Sequence, residues 1–332
     1  MATHGPAQAC GFHVYAPTET LVERLMDAPS VVLAGADRES PFRFAIERTL
    51  VGANERQTLP GLVDSRTRRV MKVNPDAKVL FLKDGETDDW ERSILVDASN
   101  RAVVEQVVHR LAEWQQGQDE DMFRLFSALL LHRDERVHQW ALRELDRAEY
   151  STLQALMPVV PTALLLRDLN LPTERGLKPI RLLLLGLNGG AEHAALFEAG
   201  VARNLTSIGP LAGVNSVAWM EVAGVAAVEA LVDRYLVSEA ALPVAQELIV
   251  EALAIQAQTP TGELRAAIEG ALTEAVQSHP EIAPMVARQF GARLDWSMGE
   301  ALAKLNVSGV SIEDMEAVER YVTFGAKRGV FD

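Results

Sequence analysis

The stretch Gln118–Ala148, QDEDMFRLFSALLLHRDERVHQWALRELDRA, constrains the fold more than any other part of the chain. Phe123, Phe126, Leu129 and Leu130 recur at helical spacing, and Val137, Ala141 and Leu145 do so again after a very short turn, which predicts two amphipathic helices. Asp134 stands where the second helix needs a cap. Each helix carries one apolar stripe, so the hairpin alone cannot bury both. Further hairpins should therefore stack downstream.

The sequence after Ala148 supplies candidates. Tyr150–Met157 and Pro161–Leu169 form a pair around a Pro turn, and Leu177–Leu187, ended by Gly189 and Gly190, pairs with Ala191–Val201. Leu205–Met220 is ambiguous because Gly209, Pro210 and Gly213 break its start. Pairing resumes with Val225–Val237 and Val244–Ala257, then Leu264–Val276 and Ile282–Phe290, then Ser297–Leu305 and Ile312–Phe324. Helix pairs repeating every ~30 to 45 residues mark an α-solenoid. Asp134, Val137, Ala141 and Leu145 resemble the second helix of HEAT-type repeats, with a cap, a β-branched residue and a small residue that allow close helix approach. That resemblance implies a HEAT-like solenoid over residues 117–332 and a binding surface rather than an activity.

Upstream the period changes. A short helix capped by Thr18 or Thr20 and running through Met26 leads into Ser30–Ala36, rich in β-branched residues, and then PFRFAIERTLV, where Phe42, Phe44 and Ile46 alternate. A third extended piece is expected over Gln57–Val63, followed by a helical turn over Asp64–Val70. Lys78–Leu82 and Trp90–Val96 read as strands flanking the polar loop DGETDD. A helix over Asn100–Trp114 has Val103, Val104, Val107 and Leu111 to cover one sheet face. About five strands and a closing helix suit a small OB-like β-barrel or sandwich over residues 10–116, giving an α+β chain with residues 1–9 disordered or a leader remnant. Cys10, a segment ending in Leu25 and a Val-Val-rich strand reaching Gly35 look like the start of netrin-like modules typified by tissue inhibitors of metalloproteinases. The further cysteines of those modules are absent, so the resemblance implies the OB-type barrel and not the inhibition.

A formal charge of −14 disfavours nonspecific attraction to nucleic acid or anionic lipid and favours a basic protein or peptide partner. No apolar run approaches the ~20 residues of a spanning helix. The single cysteine, Cys10, rules out an intrachain disulfide and any zinc ribbon. Ala7-Gln8-Ala9 has the small-x-small pattern that precedes signal-peptidase cleavage, although no apolar stretch lies upstream. A periplasmic or secreted location is weighed evenly against a cytoplasmic one.

Cys10 with His13, and His4 nearby, offers sulfur and imidazole ligands suited to zinc or copper, the only metals or cofactors the sequence suggests; ordinary packing of Cys10 is the alternative. His132, Asp134, Glu135 and His138 gather around the helical turn, where a cap and a solvated face are the simpler explanation. LLLLGLNGGAEH lacks the Lys-Ser/Thr ending of a phosphate loop, so its glycines read as helix terminators. Arg66, Arg68, Arg69 and Lys72 form the one concentrated positive patch, either an anion or acidic-partner site or a solvated helix face. Trp140, Tyr150, Trp219, Trp296 and Tyr321 read as packing residues. No catalytic motif can be picked out. The resulting expectation is a noncatalytic protein- or peptide-binding scaffold of the cell envelope. The alternatives are an enzyme or small-ligand binder with a site between the domains, and a metal-handling protein that uses Cys10.

Overall fold

The computed structural model describes residues 19–53, 59–117, 119–169, 176–258, 262–305 and 312–327, and its contacts divide the chain into a unit spanning Thr18–Leu145 and a unit from Asp146 onward. The first contains α1 (Leu21–Asp27), β1 (Ser30–Ala36), β2 (Phe44–Val51), α2 (Ser65–Val73), β3 (Lys78–Lys83), β4 (Trp90–Val96), α3 (Arg101–Trp114), α4 (Asp119–Leu129) and α5 (Glu135–Leu145). A capping box starts α1. Thr20 Oγ1 accepts from Glu23 N at 3.2 Å, and the Glu23 carboxylate accepts from Thr20 N at 2.7 Å.

The four strands form one antiparallel sheet in the order β2-β1-β3-β4. Alternation sorts the side chains of β1 onto its two faces. Val32 and Ala34, paired with Phe81 and Val79, join Phe44, Leu59, Val63 and Trp90 in one core, against which Met71 of α2 packs. Val31 and Leu33, paired with Leu82 and Leu80, are equally buried on the opposite face. Central strands covered on both sides explain why β1 and β3 read as nearly continuous apolar runs.

The described part of Gln57–Val63, where a strand is expected, is not a strand. Leu59–Val63 makes no ladder; Leu59 and Val63 insert into the core instead, and Val63 N donates to Phe42 O at 2.8 Å. Pro60 has no N–H to give a ladder, so two buried anchors four residues apart fix this segment as a loop. Gln57 and Thr58 lie outside the described residues. β2 and β4 end the strand order, and among the described residues no pairing joins them.

The second unit is helical: α6 (Tyr150–Leu156), α7 (Thr162–Asp168), α8 (Lys178–Asn188), α9 (Ala194–Asn204), α10 (Leu211–Ala223), α11 (Val225–Ala230), α12 (Pro243–Gln256), α13 (Gly262–Ser278), α14 (Ala283–Ala292), α15 (Gly299–Ala303) and α16 (Ile312–Lys327). Gly224, at φ +56°, separates α10 from α11, and α11 continues into a π-helical turn over Leu231–Leu236. Contacts pass from α8 to α10, α10 to α12, α12 to α14 and α14 to α16, while α11 meets α13 and α13 meets α15. Ala212–Met220 of α10 is buried without interruption because α8, α9, α11 and α12 all pack on it. A helix enclosed on all sides needs no apolar stripe; of the residues that made this segment ambiguous, Gly209 and Pro210 precede the helix start at Leu211 and Gly213 is buried within it.

Gly186 lets α8 and α10 approach closely: a Cβ there would sit 2.8 Å from Ala218 Cα. Gly→Ala inside a helix ordinarily stabilises by about 1 kcal/mol. Here the added methyl must push α8 off α10, so Gly186→Ala is expected to destabilise by about 1–3 kcal/mol. Thermal unfolding of the variant checks the sign; an increase in Tm would show that the two helices are not in contact at this point.

Candidate functional site

In the sheet unit, the polar groups singled out around the α4–α5 turn serve as local architecture. Asp134 caps α5, its Oδ1 accepting from Arg136 N at 2.9 Å, while His132 Nδ1 accepts from Asp134 N at 3.1 Å. His138 is buried, with Nδ1 2.7 Å from Leu130 O. Glu135 is exposed in the first turn.

Arg136, which the sequence did not single out, ties this turn to the β4–α3 connection. Its guanidinium donates to Asp134 Oδ2 at 2.6 Å, Asp97 Oδ2 at 2.9 Å, Ser99 Oγ at 3.0 Å and Leu95 O at 3.2 Å. Hydrogen bonding to Arg136 holds the Asp134 carboxyl well below the usual range, against the effect of its burial. Burial pushes Asp97 up, but hydrogen bonds from Ser99 and Arg136 outweigh it and leave that carboxyl low as well. Both carboxylates therefore stay charged at neutral pH, and the arginine joins them as a clasp.

Next to the clasp lies a small cavity of about 160 Å³ walled by Leu21, Ile94, Val137 and Trp140, with Asn100 and Arg136 at its polar side. Glu144 is buried nearby. Its Oε1 accepts from Trp140 Nε1 at 2.7 Å and from Val22 N at 3.1 Å, and the Thr20 hydroxyl also bonds the carboxyl. Val22 lies in the first turn of α1, where free N–H groups favour an acceptor. Burial nevertheless dominates and pushes the Glu144 carboxyl up to about 7.

Arg66, Arg68, Arg69 and Lys72 all lie on α2, whose N-cap Asp64 accepts from Thr67 N at 2.9 Å. Asp64 also pairs with Arg92 of β4 at 2.7 Å. Arg66, Arg69 and Lys72 are exposed, and the Arg68 guanidinium lies 4.3 Å from the centroid of the Phe42 ring. Cys10, His13 and His4 lie outside the described residues.

In the helical unit the polar groups sit between neighbouring helices. Glu221 of α10 draws three donors onto Oε1: Tyr150 Oη at 2.6 Å, Gln154 Nε2 at 2.6 Å and Gln256 Nε2 at 2.8 Å, from α6 and α12. Between α12 and α14, Glu247 accepts from Arg288 at 2.5 Å and Gln289 at 2.7 Å. Glu251 accepts from Arg293 at 2.9 Å. Burial pushes the Glu251 carboxyl up, while Arg293 opposes the shift. Sequence reasoning missed these groups because each bridges residues 35 to 71 positions apart.

The aromatic residues pack as the sequence suggests. Trp140 lies 5.4 Å from Phe126, Trp219 lies 6.0 Å from Tyr235, and Trp296 lies 5.0 Å from Tyr321. LLLLGLN belongs to α8 and Gly189 is its C-cap, so no strand feeds a phosphate loop here. No helix among the described residues is long and apolar enough to cross a membrane. No protein-family model, curated protein or solved structure gives a significant match to this chain.

Proposed function

We propose that the chain is a noncatalytic protein- or peptide-binding scaffold in which the helices after Tyr150 stack as an open, HEAT-like array. The observation that carries this reading is the serial contact of α8, α10, α12, α14 and α16, each with the next. Such a row gains length rather than a single centre, and extended rows present long surfaces suited to polypeptides. Polar side chains bridging α6 to α10, α10 to α12 and α12 to α14 support it, because they hold register between neighbours.

Peptides selected from a random display library against the full chain, followed by hydrogen exchange of the complexes, test this reading. Protection is expected over several successive helices that keep exposed positions, α13, α14 and α16. Selection of no binder, or stabilisation by a member of a small-metabolite panel with protection confined to one cavity, would favour the small-ligand alternative instead.

A further inference from the structure

The outer face of α2 carries a strip of cations. Arg66, Arg69 and Lys72 recur every third residue, which keeps them within ~120° of helix arc. All three are exposed, and no ion pair engages them among the described residues, whereas Arg24, Arg48, Arg92 and Arg136 of the same unit each pair with a carboxylate. The first turn of α2 has no acidic residue and carries Arg66. Arg66 opposes the helix dipole there, whereas Lys72 stands in the last turn, where a cation is favoured, so the dipole accounts for Lys72 and not for Arg66. Arg68 adds a buried Nε with no acceptor among the described residues.

Apolar side chains flank this charge. Phe42 is 54% exposed, Leu62 67% and Val73 82%. The Phe42 carbonyl accepts from Val63 N at 2.8 Å, and the Phe42 ring lies under Arg68. This places Phe42 and Leu62 beside the start of the helix, while Val73 stands at its end. In a chain of net charge −14, a basic strip edged by exposed apolar groups matches one kind of partner.

We propose that this face docks an acidic, amphipathic peptide segment of a partner protein, with its carboxylates on Arg66, Arg69 and Lys72 and its apolar residues on Phe42 and Leu62. An anionic bilayer or nucleic acid would present many more negative charges to a chain that is itself strongly acidic, which disfavours both. The inference uses residues of the sheet unit alone, so its failure would leave the reading of the helix row untouched.

The test uses the full chain and a fluorescein-labelled peptide in which Leu and Phe are interspersed among Glu and Asp, read by anisotropy. A second peptide with Gln and Asn in place of the acids, and phosphatidylserine–phosphatidylcholine vesicles read by co-sedimentation, serve as the other arms. Wild-type protein is expected to bind the acidic peptide with salt-sensitive affinity. The triple variant Arg66→Glu, Arg69→Glu, Lys72→Glu should weaken binding by about tenfold or more. Phe42→Ser should weaken it with an unchanged salt slope, and the neutral peptide should not bind. Thermal melts check folding; should charge reversal disrupt the unit, the Gln triple variant replaces it with the same expected direction. Absence of binding by wild type, equal binding by the triple variant, or cation-dependent binding to vesicles without binding to the peptide would overturn the proposal.

Discussion

Between pH 4.5 and 7 the sheet unit is expected to lose about 3 kcal/mol of stability, and Glu144→Gln should remove that loss. The Glu144 carboxyl stands at about 7 in the folded chain against an ordinary value of 4.5, because burial penalises its charge more than Trp140, Val22 and Thr20 repay. In that window the folded state holds a proton that the unfolded state has released, so stability falls as pH rises and levels off above about 7. The aspartates of the clasp act with the opposite sign. Asp134 and Asp97 have lowered values, and their contribution is lost as pH falls through the acid range below 3.8. Stability of this unit should therefore peak near the lower end of the Glu144 window. A glutamine keeps an acceptor for Val22 N and Trp140 Nε1 without the titration. Denaturant-dependent hydrogen exchange of peptides covering 19–27 and 135–145, run across the window, provides the measurement. An identical slope in wild type and Glu144→Gln would contradict the assignment. Glu251, also raised, lies on α12, so some pH dependence of the helical peptides should persist in the variant.

Phe126→Ala should cost about 3–5 kcal/mol. The ring is fully buried and lies between Trp114 of α3, at 6.4 Å, and Trp140 of α5, at 5.4 Å. Its removal leaves both tryptophans facing a void that α4 cannot refill without moving. α3 to α5 share this cluster, so the loss should register in the exchange of all three helices and of α1, which packs on α3 and α5. Conservative Phe126→Leu should cost roughly half as much. If Phe126→Ala changed protection in α4 alone, the three-ring cluster would not be the joint that holds these helices together.

Local patterns were readable and distant pairings were not. The boundaries of α6, α7, α8, α12, α13 and α14 follow from apolar period, Pro and Gly, all of which act within one turn. β1, β3 and β4 follow from β-branched runs and from the polar DGETDD loop, where Asp84 accepts from Glu86 N and Thr87 N. The strand expected over Gln57–Val63 failed because Leu59 and Val63 are apolar for burial from a loop, and burial alone does not distinguish the two. A domain boundary is expected from the sequence between residues 116 and 117, whereas Trp114 and Phe126 pack across that point and the compact unit extends to Leu145. Asp134 was readable as a cap because capping is local. The clasp it forms with Arg136, Asp97 and Ser99 spans about forty positions and leaves no periodic trace. Glu144 meets Val22 across a separation of 122. The α2 cations were visible from sequence alone, since a cluster within seven residues needs only a helix to share a face.

The most direct test of the scaffold reading is native-state hydrogen exchange across residues 178–327. In an open row each helix depends on its immediate neighbours, so opening free energies should grade along the chain: highest in the enclosed α10, lower through α12 and α14, lowest at α16. Urea should dissolve that gradient stepwise from the α16 end. A single cooperative opening, with α8 through α16 sharing one free energy and one urea dependence, would show a closed core and contradict it.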